Sequence, residues 1–183
     1  MRIKAILLDL GDTIMVEESQ VKDETETTLE ADLVHGMDKV LKELKSRGYQ
    51  LALVADTKTG TYRNVLRQHG LYHLFDAFAV SHEVGAEKPD SRIFVAALDR
   101  LGIQPEDYGR VLMVGNNLQR DIRGANAVGL MAVWFHWNDR FPINPADYLE
   151  KPKFTIHSAE ELLKLIDSLE KMEGKAKGAS HEI

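Results

Sequence analysis

The sequence predicts a three-layer α/β fold, in which a parallel sheet of five to six strands lies between two layers of helices. Short apolar segments alternate along the chain with amphipathic segments of helical spacing. The short segments are continuously apolar, which is typical of strands that are buried on both faces. Because strands that alternate with helices are joined by right-handed crossovers, the sheet is expected to be mostly parallel.

The first half of the chain contains three predicted strands and two predicted helices. Residues 3–9 form an apolar run with β-branched members, long enough for a strand but too short for a helix. Apolar residues then recur at helical spacing over 37–44, and Gly48 is typical of a residue that ends a helix. The same criteria give the next three elements, which are a strand over 51–54, a helix over 62–66 that ends at Gly70, and a strand over 78–80.

The second half continues this alternation. Pro89 suits the first turn of a helix, where its missing N–H costs no hydrogen bond, and the apolar face of that helix recurs over 93–101. The remaining elements are a strand over 111–114, a helix over 122–128, a fifth strand over 130–135, a sixth candidate strand over 154–156, and a closing amphipathic helix over 162–169. A single domain is therefore predicted over 1–170, followed by a polar tail over 171–183.

Composition and charge exclude several classes of function. The chain has 183 residues and a net charge of −6, whereas a nucleic-acid-binding surface is expected to be basic. It contains no cysteine, which excludes disulfides and thiolate chemistry. No apolar run approaches the ~20 residues that cross a bilayer, and no signal peptide is recognisable. We therefore expect no membrane association and a cytoplasmic location.

One segment interrupts the alternation between the first strand and the first helix. Over 17–32, seven acidic residues stand against a single basic residue, Lys22. With its flanks the segment covers about 14–34, which is too short for a domain. It is either a short flap or hairpin beside the first strand or a solvated acidic loop, and the sequence leaves both open.

Polar residues cluster at four places beyond strand ends, which are 9–13, 55–57, 88–90 and 115–121. Ligands of open α/β sheets collect at the carboxyl edge of the strands, so these places are expected to lie near one another. Each place alone has an ordinary structural explanation, such as a turn, a helix cap or a solvated charge. Their order and spacing together carry the functional signal.

The order and spacing of these residues resemble the signature of the haloacid dehalogenase superfamily. The matching features are an apolar strand that ends in Asp9-x-x-x-Thr13, the triplet Lys-Pro-Asp at 88–90, and Gly-Asn-x4-Asp over 115–121. The string EVGAEKPD over 83–90 is similar to that of the phosphatase-type members.

The resemblance covers about residues 3–134, and it implies a Rossmann-like fold and a Mg²⁺-dependent phosphatase that acts through an aspartyl-phosphate. By this resemblance Asp9 would be the nucleophile. Lys88 would neutralise charge on the nucleophile and on the transferred group. The turn at Ala55 and Asp56 would offer main-chain N–H groups, which together with Lys88 would bind the phosphate.

The metal ligands that the resemblance implies are Asp9, the main-chain carbonyl of Gly11, Asn116 and Asp121. Asn116 stands where the family usually carries an aspartate, and an amide oxygen brings no charge to the metal. Mg²⁺ usually rests on one or two carboxylates and water. Because Asp9 and Asp121 meet that minimum, we expect weakened Mg²⁺ binding rather than none.

Two further positions depart from the family pattern. Gly11 stands where phosphatase-type members carry a second aspartate that protonates the leaving group, a contribution typically worth ~10²–10⁴ in rate. Asp12 is adjacent, but a shift of one residue on this loop is expected to point its side chain elsewhere. Ala55 replaces a serine or threonine and removes one hydroxyl contact to the phosphate, for which Thr57 or Asp56 is the nearest substitute.

Three functions are compatible with this set of residues. The first is a slow phosphatase that prefers aryl or acyl phosphates, because those leaving groups need no proton. The alternative is a non-catalytic phosphate-binding or regulatory protein, and the third is a dehalogenase-type hydrolase. Dehalogenases of the family use a helical cap, and no cap domain fits between residues 13 and 55 or between residues 57 and 88.

A site without a cap is expected to be open, which suits a large phosphorylated substrate, including a macromolecule, or a lid supplied by the partner in a homodimer. The aromatic segment 134–137 has three interpretations, which are a lid, a dimer contact and core packing. Core packing is the ordinary one.

Overall fold

The computed structural model describes the backbone of residues 3–178 and the side chains of residues 3–171. Its strands are β1 (Ala5–Leu8), β2 (Val21–Lys22), β3 (Thr28–Glu30), β4 (Gln50–Ala55), β5 (Ala77–Val80), β6 (Val111–Gly115), β7 (Met131–Phe135) and β8 (Phe154–Ile156). Its α-helices are α1 (Met37–Ser46), α2 (Thr59–Gln68), α3 (Ser81–Val84), α4 (Ser91–Arg100), α5 (Arg123–Val128) and α6 (Ala159–Gly178).

Six of these strands form one parallel sheet in the order β5-β4-β1-β6-β7-β8. This arrangement confirms the predicted Rossmann-like fold, including its sixth strand. The central strand β1 is flanked by β4 and β6, and Leu8 lies opposite both Leu53 and Val114. The ends of β4 and β6 therefore lie within two residues of the end of β1, and the loops that follow the three strands meet at one edge of the sheet.

The two faces of the sheet bury separate apolar layers. Ile6 and Leu8 pack with α1, α2 and α6, whereas Ala5 and Leu7 pack with α4 and α5. Successive strand residues point to opposite faces, so a strand covered on both sides has to be apolar at every position. This burial explains the continuous apolar runs that identified the strands.

The acidic segment folds as a hairpin. A one-turn 3-10 helix over Glu17–Ser19 leads into β2, which pairs with β3 in an antiparallel, two-stranded sheet of its own. The main-chain N–H of Val16 donates to the Asp32 carbonyl at 2.8 Å and closes the base of the segment. Of the two interpretations left open by the sequence, the structure therefore selects the hairpin, and we call residues 14–34 the acidic flap.

Three predicted element boundaries were wrong. Pro89 precedes α4 instead of lying in its first turn, because Asp90 caps the helix by accepting a hydrogen bond from the main-chain N–H of Arg92. The helix after β6 begins earlier than predicted, with a π-helical turn over Leu118–Ile122. Helix α6 continues to Gly178, so the segment predicted as a tail from residue 171 is helical to that point, and residues 179–183 lie outside the described residues.

Neither predicted cap insertion point holds an additional domain within residues 3–178. Between β1 and β4 the chain forms only the acidic flap and α1. Between β4 and α4 it forms α2, a short 3-10 turn, β5 and α3. Of the helices described, none has the length and apolar character that crossing a membrane requires.

The contact between α4 and α5 provides a test of the packing. A Cβ at Gly124 would overlap the ring of Phe94 and lie 3.2 Å from the Pro89 Cα. Overpacking of this kind costs about 1–3 kcal/mol, so Gly124→Ala is expected to lower the free energy of unfolding by that amount in urea titrations. Gly109→Ala is the control, because no atom lies within 4 Å of its Cβ position, and it should change stability by less than about 0.5 kcal/mol. Equal effects of the two substitutions would contradict this packing.

Candidate active site

The loops at the carboxyl edge of the sheet surround a cavity of about 450 Å³. The loops after β1, β4 and β6 form its floor, and the acidic flap forms part of its wall. Asp9, Lys88 and Asp121 all line it, although the first and the last lie 112 positions apart in sequence. The topology of the sheet therefore gathers the residues that the sequence singled out.

The ammonium group of Lys88 lies between two carboxylates. Its Nζ is 2.5 Å from Asp9 Oδ1 and 2.7 Å from Asp121 Oδ1, and it also donates to the Val54 carbonyl at 3.1 Å. Lys88 and Asp121 are buried, and the Asp9 side chain is 13% exposed. All three donor positions of the ammonium are thereby used, which is the arrangement that a buried cation requires.

Burial and mutual repulsion shape the protonation of this cluster. The pKa of Asp9 is raised to about 7, because burial and the nearby Asp121 carboxylate together outweigh the opposing effect of Lys88. Burial disfavours the charged form of Lys88, but the carboxylates of Asp121 and Asp9 outweigh it and hold the pKa of Lys88 above its ordinary value. Two carboxylates share one ammonium, so the ionised cluster carries a net negative charge.

Asp121 is fixed by the turn that precedes α5. Its Oδ2 accepts a hydrogen bond from the main-chain N–H of Asn117 at 2.9 Å. A Cβ at Gly115 would overlap the carboxyl group of Asp121, so only glycine at the end of β6 lets the carboxylate approach so closely. Asn117 in turn caps the π-helical turn by accepting from the main-chain N–H groups of Gln119 and Arg120.

The residues predicted to bind Mg²⁺ lie around this cluster. Asp9, Gly11, Asn116 and Asp121 all line the cavity. The amide nitrogen of Asn116 is buried and has no hydrogen-bond partner among the described residues, while its main-chain oxygen accepts from Trp134 Nε1 at 2.9 Å. Among the side chains of residues 3–171, no group of three or more His, Cys, Asp or Glu is arranged to hold a metal.

This donor set nevertheless fits Mg²⁺. It consists of two carboxylates, an amide and a main-chain carbonyl, all oxygen donors of the kind that Mg²⁺ prefers. The uncompensated negative charge of Asp9 and Asp121 beside Lys88 favours a further cation. The fit is that of a weak site, because only two of the donors carry charge.

Asp56 has a structural task that the sequence did not indicate. Its Oδ1 accepts from the main-chain N–H of Lys88 at 2.8 Å, and its Oδ2 accepts from Arg120 Nη1 at 2.9 Å. The carboxylate thus ties the loop of Lys88 to the loop after β4. Ala55 is buried at the end of β4, and both Ala55 and Thr57 line the cavity.

The contacts of the Asp12 carboxylate do not suit a proton donor. It accepts a hydrogen bond from the main-chain N–H of Glu17 at 2.9 Å and forms an ion pair with Arg140, and it is 1% exposed. Its main-chain oxygen accepts from Trp137 Nε1 at 2.7 Å. Both carboxylate oxygens are therefore engaged, and Asp12 fastens the acidic flap and the loop after β7 to the loop after β1.

The sequence missed one carboxylate that reaches this region. A Cβ at Gly11 would overlap Oε2 of Glu17 and lie 3.3 Å from its Cδ. In the sequence Glu17 is one of the seven acidic residues over 17–32, and no spacing pattern relates it to Gly11. The aromatic segment is likewise explained by contacts: Phe135 is buried in the core, whereas the indoles of Trp134 and Trp137 each bond to a loop of the site.

The chain also matches a known protein family. A family model described as haloacid dehalogenase-like hydrolase matches residues 3–129. The glyceraldehyde 3-phosphate phosphatase of Methanopyrus kandleri is 33% identical over 131 residues, which are 72% of this chain and 55% of that protein. The phosphoserine phosphatase of Thermus thermophilus is 43% identical over 94 residues, which are 51% of this chain and 36% of that protein. The chain thus spans about half the length of these relatives, or less.

Solved structures show the same fold. A phosphatase structure from Thermococcus onnurineus superposes with a TM-score of 0.71 at 23% sequence identity, covering 89% of this chain and 97% of that chain. At this identity the likeness establishes the fold alone. The family match over residues 3–129, in contrast, contains every member of the Asp9, Lys88 and Asp121 cluster.

The ion pair of Asp12 with Arg140 is expected to contribute to stability, because Arg140→Ala leaves a buried charge without its counterion. The loss should be about 1–3 kcal/mol in the free energy of unfolding, measured by urea titration. The matched control is Arg92→Ala, since Arg92 pairs with Asp90 at the surface and exposed pairs contribute at most ~1 kcal/mol. If Arg140→Ala were no more destabilising than Arg92→Ala, Asp12 would not depend on this pair.

Proposed function

Since the chain belongs to the haloacid dehalogenase-like hydrolases, we propose that it is a phosphatase that forms an aspartyl-phosphate on Asp9. The observation that carries the proposal is the ammonium of Lys88 at 2.5 Å from Asp9 Oδ1, inside a cavity at the carboxyl edge of the sheet. A carboxylate in this position lies next to a positive charge, and it faces a space where a substrate can bind.

In the proposed reaction Asp9 attacks the phosphorus atom, and the bond from phosphorus to the leaving oxygen breaks. Lys88 stabilises the negative charge on the transferred phosphoryl group as that bond breaks, because its ammonium is already fixed and desolvated. Asp121 and Asp56 position Lys88, the first through its ammonium and the second through its main-chain N–H. Water then releases the phosphate from Asp9.

The phosphate itself is proposed to bind over the turn at Ala55 and Asp56. Main-chain N–H groups of this turn and of the first turn of α2 lie at the same edge of the cavity, since Thr57, Lys58 and Thr61 also line it. The first N–H groups of a helix have no partner within the helix and suit an anion. Lys88 supplies the full positive charge of this subsite.

Mg²⁺ is proposed as the cofactor, held by the carboxylates of Asp9 and Asp121, the amide of Asn116 and the main-chain carbonyl of Gly11. When bound, it supplies positive charge for phosphate oxygens. The net negative charge of the ionised cluster supports this assignment. The single substitution that should strengthen the site is at Asn116, where a carboxylate would add a third charge.

The substrate class we propose is a phosphate monoester of an alkyl alcohol. The relatives are named for glyceraldehyde 3-phosphate and for phosphoserine, which both carry phosphate on an alkyl oxygen. The acidic flap and the loop after β7 bound the cavity, and no additional domain covers it among residues 3–178. A leaving group attached to a macromolecule therefore fits the proposal as well as a small one.

Replacement of the nucleophile tests the function. Asp9→Asn keeps the size of the side chain and removes the attacking carboxylate, so turnover of an aryl phosphate with Mg²⁺ should fall at least about 10³-fold. Asp99→Asn, which makes the same change on the exposed face of α4, should retain the parent rate, and circular dichroism should show both variants folded. A parent that binds inorganic phosphate but shows no turnover dependent on Asp9 would instead support the non-catalytic alternative.

Replacement of Asn116 tests the proposed Mg²⁺ site. Asn116→Asp should tighten Mg²⁺ binding by at least about tenfold in calorimetric titrations, because another unit charge beside a partly buried cation is worth more than ~1.4 kcal/mol. Asn138→Asp adds the same charge at a position that does not line the cavity, and it should leave the affinity unchanged. An unchanged affinity in Asn116→Asp would remove Asn116 from the metal site.

A further inference from the structure

We propose that Glu17 of the acidic flap is the catalytic acid and base of this site, and that its carboxyl group takes the place of a side chain at residue 11. The inference rests on the proposed function, because it concerns the proton that an alkyl leaving group needs. It assigns to the flap a chemical role that its position in sequence does not indicate.

The position of the Glu17 carboxyl group carries the inference. A Cβ built on Gly11 would overlap Glu17 Oε2, so this oxygen lies where a side chain of residue 11 would begin. Residue 11 is two positions after the nucleophile, and both residues line the same cavity as Glu17. The absence of a side chain at Gly11 is what makes room for a carboxyl group that arrives from the flap.

The backbone of Glu17 is fixed to the nucleophile loop. Its main-chain N–H donates to Asp12 Oδ1 at 2.9 Å, and its main-chain oxygen accepts from Gln20 Nε2 at 3.0 Å. Asp12 follows Gly11 directly, so a single residue, buried and held by Arg140, links the two positions. The main chain of Glu17 is therefore fixed next to the loop that carries Gly11, from which its side chain reaches residue 11.

The other carboxylates of the cavity are already engaged. Asp12, Asp56 and Asp121 each accept from two donors, and Glu26 pairs with Lys22 at 3.5 Å. Among the described residues, no ion pair or hydrogen bond involves the Glu17 carboxyl group. Apart from the nucleophile, Glu17 is thus the acid of this cavity whose oxygens accept no hydrogen bond among the described residues, and its charge interacts with the Arg140 guanidinium.

The proton is conserved over the reaction that we infer. As Asp9 forms its bond to phosphorus, the bond to the leaving oxygen breaks and that oxygen takes the proton of the Glu17 carboxyl group, which leaves a carboxylate. In the second step the Glu17 carboxylate takes a proton from water while the water oxygen bonds to phosphorus, and Asp9 departs as a carboxylate. Glu17 is then protonated again, and the products are the alcohol and phosphate.

This assignment changes the expectation drawn from Gly11 alone. A site without a proton donor should prefer aryl and acyl phosphates, because an alkoxide leaves slowly without help. With Glu17 as donor the chain can release alkyl alcohols as well. The preference for good leaving groups should appear only when Glu17 is changed.

The experiment measures leaving-group release in a single turnover, with O-phosphoserine as the alkyl substrate and p-nitrophenyl phosphate as the aryl substrate. Glu17→Gln should slow release of the alkyl alcohol by about 10²–10⁴-fold and release of the phenol by less than about tenfold. Glu18→Gln, at the adjacent and exposed glutamate, should change neither rate. If Glu17→Gln slowed both substrates equally or neither of them, the inference would be overturned.

A second pair of variants moves the acid to the other position. Gly11→Asp alone places a side chain against the flexible end of Glu17, whose carboxyl group must then move aside. In Glu17→Ala the space is clear, and adding Gly11→Asp should raise single-turnover release of the alkyl alcohol at least about tenfold over Glu17→Ala alone. A folded double variant no faster than Glu17→Ala would show that a carboxyl group at this position does not donate the proton.

Different results would overturn the proposed function and the role of Glu17. Loss of all turnover dependence on Asp9 would overturn the proposed function and the role of Glu17 with it. Turnover that depends on Asp9 but shows the same alkyl-to-aryl ratio in the parent and in Glu17→Gln would overturn the role of Glu17 alone.

Discussion

One ammonium group held between two buried carboxylates is the constraint on which the site depends. Lys88 reaches Asp9 at the end of the central strand and Asp121 at the start of the helical segment beyond β6. The contact exists because β1, β4 and β6 end at one edge of the sheet, and because Gly115 lets Asp121 approach the backbone. Removal of Lys88 would leave two buried carboxylates without their shared cation, whereas removal of either carboxylate would leave Lys88 with one counterion, so Lys88 is the member on which the other two depend.

The acidic flap and the loop after β7 complete the site around this unit. Asp12 joins both segments to the loop after β1, since it binds the main chain of Glu17, the guanidinium of Arg140 and the indole of Trp137. These contacts bring parts of the chain that are remote in sequence to the mouth of the cavity. Among the described residues, these short segments form part of the wall of the cavity.

Much of this arrangement was predictable from the sequence, because it follows from local patterns. Apolar runs identified all six strands of the main sheet, and the positions of Asp9, Lys88 and Asp121 beyond strand ends indicated a common edge. What could not be predicted depends on contacts between distant segments. The carboxylate of Asp56 holds Lys88, and Glu17 reaches Gly11, but neither pair has a spacing that repeats. The extension of α6 was missed because its end lacks the apolar stripe that identified the other helices. It is helical nevertheless, because it is rich in good helix formers.

The central claim is that Asp9 becomes phosphorylated during turnover, and direct trapping of the intermediate tests it best. Borohydride reduces an acyl phosphate and converts the aspartyl residue to homoserine, which peptide mass spectrometry can locate. Quenching the parent with borohydride during turnover of a phosphate monoester should yield homoserine at residue 9 and leave the other aspartates unchanged. Release of phosphate without any homoserine at residue 9, or with homoserine at another position, would contradict the account.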